Sequence, residues 1–271
     1  MALHFILQHL DSPGTYARIL FVDFSSAFNT IIPSLLQDKL SQLHVPTSTC
    51  KWITDFLSDM KQHVKLWKHV SASRSISTGS MKTVEMVVDF RRNTALPSPL
   101  TLCDSPVTTV DSFRFLGSII TQDLKWELNI SSITKKAQQR MFFLRQLKKF
   151  NLPQTMMVHF YTAIMESILC SSITVWYAAA TAKDKGRLQR VICSAERVIG
   201  CNLPSLQDLF ASRSLKWARK IVADPSHPGH ELFVPLSSGR RLRSIRTKTS
   251  RHTNSFFPSA VGLINRGRGP P

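Results

Sequence analysis

The 271 residues suffice for one large domain or two small ones, and 43% apolar residues suffice for a core, which excludes a chain disordered as a whole. Lys and Arg number 35 against 17 Asp and Glu, giving a formal charge of +18 and a pI near 10.2, so a polyanion is the expected partner. Five cysteines, an odd number without CxxC spacing, fit free thiols in a reducing compartment with no zinc site visible, and no run of about 18 apolar residues offers a membrane span.

The chain therefore reads as soluble and intracellular, cytoplasmic or nuclear, with no membrane partner and no evident small-molecule partner. Its charge is uneven, +2 over residues 1–80, +7 over 81–203 and +9 over 204–271, so the basic surface belongs mainly to the last two thirds.

Residues 2–10 have the composition of a short helix, and Asp11-Ser12-Pro13-Gly14 is a turn. The apolar, partly β-branched run Ile19-Leu20-Phe21-Val22 predicts a strand over 18–24 that ends in Asp23. In its plainest role such an Asp forms a turn or caps a helix. It can also face a cleft and meet a cation, because burying a carboxylate alone is costly. One Asp can hold Mg²⁺, whereas two-metal phosphoryl chemistry needs a second acid from elsewhere in the chain. His9-Leu10-Asp11 also spells the His-x-Asp pair of iron-dependent dioxygenases, but the turn explains the Asp without a metal. Pro33 opens a helix carrying Leu35, Leu36, Leu40 and Leu43, and His44-Val45-Pro46 breaks it. A second helix follows with Trp52, Ile53, Phe56 and Leu57 as its core face, and Val64 to Val70 alternates as a strand does.

A Ser-rich loop, 71–80, ends in Ser77-Thr78-Gly79-Ser80, and 81–90 begins a strand carrying Glu85 and Asp89. Residues 113–121 make another strand, bent at Gly117. After Trp126 the residues Ile130, Ile133, Ala137, Met141, Leu144 and Leu147 recur at three and four, with Lys135, Lys136, Arg140, Arg145, Lys148 and Lys149 as a basic face. Pro153 starts a second helix with Met157, Phe160, Tyr161, Ile164, Ile168 and Leu169 inward; 184–199 is a third and 206–222 the last. The bases either track phosphates or form a solvated bundle face. Asp224, His227 and His230 sit in a Pro-rich turn, which reads as a loop rather than a metal site. Arg240, Arg241, Arg243, Arg246, Lys248 and Arg251 follow without an acid between them, as in an RNA-binding or nuclear-import segment, or a solvated tail.

Phe21-Val22-Asp23-Phe24-Ser25-Ser26-Ala27-Phe28-Asn29-Thr30-Ile31 resembles the first metal-binding motif of the reverse transcriptases of LINE-type, non-LTR retrotransposons. The resemblance implies Mg²⁺ on Asp23, and for Phe28 a place under the sugar of the incoming deoxynucleotide. Residues 77–80 and 82–89 are similar to the two sides of that family's Pro-Gln-Gly and Ala-Asp-Asp region, with Lys82 near the nucleotide. Phe113-Arg114-Phe115-Leu116-Gly117 is similar to the Phe-x-Tyr-Leu-Gly segment that holds the primer end, with Phe115 in the Tyr place. Residues 254–265 are similar to the C-terminal tail of LINE open reading frames. The chain contains neither Pro-Gln-Gly nor any Asp-Asp, and passes from one side of that region to the other at Ser80 and Met81.

The fold expected from this resemblance is α+β, a truncated reverse-transcriptase palm followed by an α-helical thumb-like bundle and a basic, largely irregular tail. Its divisions are 1–80 (partial fingers and palm), 81–126 (remaining palm strands), 127–223 (thumb-like bundle) and 224–271 (tail). The implied protein is a catalytically inactive remnant of an RNA-directed DNA polymerase that still binds RNA or an RNA/DNA hybrid; a plain nucleic-acid-binding module is the alternative. Mg²⁺ belongs to the parent family, with none held tightly here.

Residues from about 82 to 200 are also similar to a segment described as the N-terminal domain of an AlkB-type alkylated-nucleic-acid repair protein. That resemblance implies an iron and 2-oxoglutarate dioxygenase with an attached methyltransferase. Beyond His9 and Asp11, however, no ordered His-x-Asp, distal His and Arg set is recognisable on a strand scaffold.

Overall fold

The computed structural model describes the chain apart from residues 25–32, 58–60, 63–64, 67–68, 71–73, 76–80, 92–96, 99, 103–104, 239 and 268–271. The front of the protein runs α1 (Ala2–Leu10), β1 (Tyr16–Phe24), α2 (Pro33–Gln42) and α3 (Thr47–Leu57), then the short strands β2 (Lys61–Gln62), β3 (Lys65–Leu66), β4 (His69–Val70) and β5 (Arg74–Ser75). It continues through β6 (Met81–Asp89), β7 (Thr101–Leu102), β8 (Ser105–Pro106), β9 (Thr108–Thr109), β10 (Ser112–Phe115) and β11 (Ser118–Thr121). Contacts divide the chain into two compact units, one of Met1–Ile19, Met86–Pro97 and Val110–Pro271, the other of Leu20–Glu85 and Ser98–Thr109.

A three-stranded sheet has the order β1-β6-β9, with β9 parallel to β6 and Val84 opposite Thr108. Glu85, Met86, Val87 and Val88 of β6 are all buried, as a strand covered on both faces requires. Lys65–Leu66 pairs antiparallel with His69–Val70, as β3 with β4, where the alternation of 64–70 predicts a single strand. Likewise 113–121 is a hairpin and not one bent strand. Ser112 pairs with Thr121 and Phe115 with Ser118, and the connecting Leu116 and Gly117 both have positive φ (46° and 84°), the backbone twist that suits a two-residue hairpin. Trp52, expected in a core face, is 68% exposed.

The helices follow as α4 (Glu127–Lys149), α5 (Gln154–Phe160), α6 (Ser167–Leu169), α7 (Ile173–Trp176), α8 (Ala182–Ile199), α9 (Leu206–Ala223), α10 (Ser250–Thr253) and α11 (Phe256–Gly267). Their boundaries have local causes. Thr181 accepts a hydrogen bond on Oγ1 from Asp184 N–H and donates to the Asp184 carboxylate, opening α8, while Ser205 and Asp208 repeat this reciprocal cap on α9. Gly200, left-handed at φ 84°, closes α8 by donating to Glu196 O.

Between α5 and α6, Tyr161–Glu166 is a π-helical stretch. Its wider turn stacks Tyr161, Met165 and Leu169 into the core at intervals of four and leaves Ile164, expected inward, 38% exposed. The main core joins Trp126, Ile130, Ala137 and Leu144 to these residues and to Trp176, Leu188, Ile192 and Phe210.

Residues 224–271, expected to be largely irregular, contribute a second core instead. Phe233, Leu242, Phe257, Ala260 and Val261 pack with Ala218 and Ile221 of α9, so α9 is not the last helix. Leu242 donates its N–H to Asn265 Oδ1 at 2.8 Å and accepts from Asn265 Nδ2 at 3.0 Å, fixing the basic segment between them. A further clip joins α1 to this segment. Asp11 accepts from Lys248 N–H, Thr249 Oγ1 and His252 Nδ1 at 2.9, 2.7 and 2.6 Å, and His252 Nε2 lies 3.4 Å from His4 Nδ1. The turn assigned to Asp11 by its sequence is real, but its carboxylate serves residues more than two hundred positions away.

Candidate nucleic-acid interface

Asp23 lies at the end of β1 and Lys82 at the start of β6, with side chains outside the described residues; Phe28 lies outside them altogether. Phe115 is 42% exposed at the hairpin end and Gly117 is its turn glycine. Asp89 is gripped by Arg91, whose guanidinium donates to both carboxylate oxygens at 2.7 to 3.1 Å; these bonds hold its pKa below the ordinary value. The same guanidinium lies 4.5 Å over the Tyr16 ring. Glu85 is fully buried and accepts from Leu100 N–H at 3.3 Å. Among the described residues no group of three or more His, Cys, Asp and Glu side chains could hold a metal ion. Asp89 and Glu85, the two acids of β6, thus have structural partners.

Other polar groups singled out by sequence are likewise committed. His9 Nε2 lies 3.2 Å from Tyr16 O, apart from the use made of Asp11. Asp224 accepts from Ser226 N–H and Oγ, His227 Nδ1 accepts from Gly229 N–H, and His230 Nδ1 lies 3.3 Å from Ile221 O, so the three knit a turn. Cys170 is buried, and burial, against the opposing pull of Arg213 and with a smaller push from the Glu166 carboxylate, raises its thiol to about 11.

The bases of α4 behave differently. Lys135, Lys136, Arg140, Arg145, Lys148 and Lys149 are all exposed while Ile130, Ile133, Ala137, Met141 and Leu144 are buried. At about 100° per residue they do not share one face. Lys135, Arg145 and Lys149 align with one another, Lys136 and Arg140 lie on another side, and Lys148, four past Leu144 and seven past Met141, continues the line of the core stripe beyond its buried end. Arg140 sits 5.8 Å over the exposed Phe143 ring. Missed by sequence reasoning were the bases of α8. Lys183, Arg187, Arg190 and Arg197 recur at four, three and seven positions, along one side of α8. That spacing was open to inspection; what it lacked was knowledge that α8 packs beside α4.

Within the tail, Arg241, Arg243, Arg246 and Lys248 are exposed, and Arg240 too, on a strap held at Leu242 and Asp11. Arg251 is spent differently, its guanidinium 3.9 Å over the Phe90 ring.

Taken together these features define a basic helical protein with exposed cations along α4, α8 and the C-terminal strap. Residues 126–167, from Trp126 through α4 to the π-helical turn, match the family described as Alkylated DNA repair protein alkB homolog 8, N-terminal. The match supports the AlkB-like resemblance over a shorter span than the 82–200 read from the sequence, and nothing in the comparisons supports the reverse-transcriptase resemblance. No curated protein and no solved structure matches the chain.

Proposed function

We propose that this chain is a nucleic-acid-binding protein without catalysis of its own, holding RNA or an RNA/DNA hybrid through the bases of α4 and α8 and the strap 240–251. The observation that carries this reading is the exposure of Lys135, Arg145 and Lys149 along one side of α4 and of Lys183, Arg190 and Arg197 along one side of α8. Cations repeated at helical spacing meet phosphates, and a formal charge of +18 supplies the long-range attraction.

Two ancestries accommodate this function. The match at 126–167 favours a module akin to the N-terminal part of an alkylated-DNA repair protein. Its residues contain no aspartate and His159 as their one histidine, so the matched segment brings no His-x-Asp iron site with it. The motifs at 21–31, 77–90 and 113–121 favour a remnant of a LINE-type polymerase, whose Asp23 lacks the paired acids of the family. In either case the helices face nucleic acid.

The test is the affinity of the purified chain for a labelled RNA/DNA hybrid across a salt series. Log affinity should fall steeply and linearly with log salt, in proportion to the number of phosphates neutralised. Absence of binding at low salt overturns the reading. Magnesium-dependent DNA synthesis, or 2-oxoglutarate turnover with ferrous iron above the blank, would overturn its non-catalytic part; Asp23→Ala should change neither blank.

A further inference from the structure

Between α4 and α8 lies a groove of about 530 Å³ lined by Thr134, Gln138, Met141, Arg145, Arg187, Arg190, Val191 and Ser194. The helices run side by side in one direction. Arg187 Nη1 donates to Ser131 Oγ at 3.4 Å near both first turns, and Gln154, just after α4, donates to Ile199 O and Gly200 O at the end of α8.

The walls are chemically matched. On α4 the residues Lys135, Gln138, Phe142, Arg145 and Lys149 recur at three and four, a single stripe down the helix; on α8 the stripe is Lys183, Arg187, Arg190, Ser194 and Arg197. No lining residue is acidic. The nearby carboxylate, Asp184, is buried and already accepts from Thr181 and from Arg187 at 3.3 Å, which steadies Arg187 and leaves Arg145 and Arg190 without an acid partner among the described residues. From Lys135 to Lys149 the α4 stripe spans about 21 Å at 1.5 Å per residue, the axial length of roughly six nucleotides of one strand.

The aromatic in the stripe decides what kind of strand fits. Phe142 is 57% exposed, meets the Phe143 ring in a T-shaped contact at 5.5 Å, and stands in the same stripe as Gln138 and Arg145, next to the lining residues of the groove. An exposed ring interleaved with bases suits unpaired nucleobases, which stack on it while their phosphates meet the arginines; a duplex hides its base faces and gains only the charge.

We infer that the α4–α8 groove is a binding site for single-stranded nucleic acid, with Phe142 as a base-stacking platform and Arg145 and Arg190 as phosphate contacts. This rests on the nucleic-acid reading above and specifies its site and strand form.

The test is fluorescence anisotropy of the full chain with a labelled dT20 strand and a hairpin duplex of equal phosphate number, over a salt series. The single strand should bind more tightly. Phe142→Ala should weaken the single strand about tenfold and leave the salt slope unchanged. Arg145→Ala with Arg190→Ala should weaken it and flatten the slope by about 1.4, at roughly 0.7 per phosphate. Lys216→Ala with Arg219→Ala, exposed bases of α9 outside the groove, should stay within about twofold. Phe142→Trp supplies a readout independent of stability, since its emission should be quenched as dT20 binds. Salt-dependent binding of the wild type with no response to the groove variants or no quenching overturns the groove while sparing the general reading, as does equal or tighter binding of the duplex. Failure of the wild type to bind either probe overturns both.

Discussion

The helices between Glu127 and Ala223 and the short strands between Lys61 and Thr109 use the same apolar residue types to different effect. α4, α8 and α9 satisfy their backbone bonds internally and need only an apolar stripe, which Ile130, Ile133, Ala137 and Leu144 or Leu188, Ile192 and Ile199 provide. Strands must find partners for every peptide group, and the pairs β2–β5, β3–β4 and β7–β8 are each two residues long. A helix survives the loss of a neighbouring segment better than a sheet does. That difference explains why the described core lies so largely in the helices.

Trp176→Ala is the strongest blow to this contrast. Trp176 is fully buried and donates Nε1–H to Ser171 O at 2.8 Å, so its truncation should cost about 3–5 kcal/mol in chemical denaturation followed by helical circular dichroism. A loss below about 1 kcal/mol would mean that the helices do not share one core.

Asp11→Ala should rank next, at about 2–3 kcal/mol, because three donors lose a carboxylate that holds α1 to the strap. Limited proteolysis between 240 and 255 should accelerate; an unchanged cleavage pattern would show that the second core alone holds the strap. Acid probes the same clip. Burial first, then His252 and the N-terminal ammonium, lower the pKa of His4 to about 4. The unfolded chain takes up this proton near 6.5 and the folded chain only near 4, so the contribution is complete above 6.5 and is lost as pH falls through that window. Asp11 adds a loss at lower pH. Burial raises its carboxyl, but the hydrogen bonds from Lys248, His252 and Thr249 outweigh this and leave its pKa below 3.8. Melting temperature should therefore drop between pH 7 and 4, less so in His4→Leu; an equal drop in both would place the titration elsewhere.

Thr181→Ala removes a helix cap and should cost about 1 kcal/mol, seen as a modest shift of the denaturation midpoint. Leu102→Ala, on the two-residue β7 where Leu102 is 46% exposed, should stay within about 0.5 kcal/mol. A larger effect there would show that the strand region has a core of its own to lose.

Where a signal is local, the sequence carried it. The threefold and fourfold spacing after Trp126 predicts α4 and its buried residues, whereas the caps Thr181 and Ser205 went unread and Gly117 was taken for a bend in one strand rather than a hairpin turn. Ile164 misled because a π-helical stretch breaks the 3.6 period, and residues 224–271 read as a tail because the cover for Leu242 and Phe257 comes from α9, not from their own neighbours. The six bases of α4 were legible as exposed, but not as lying on several sides with one stripe facing α8. Composition and local periodicity thus determined a basic, helix-rich chain. Only tertiary packing decided that Asp11 clips the strap and that Arg145 and Arg190 border one groove, because these pairings join residues far apart in the sequence.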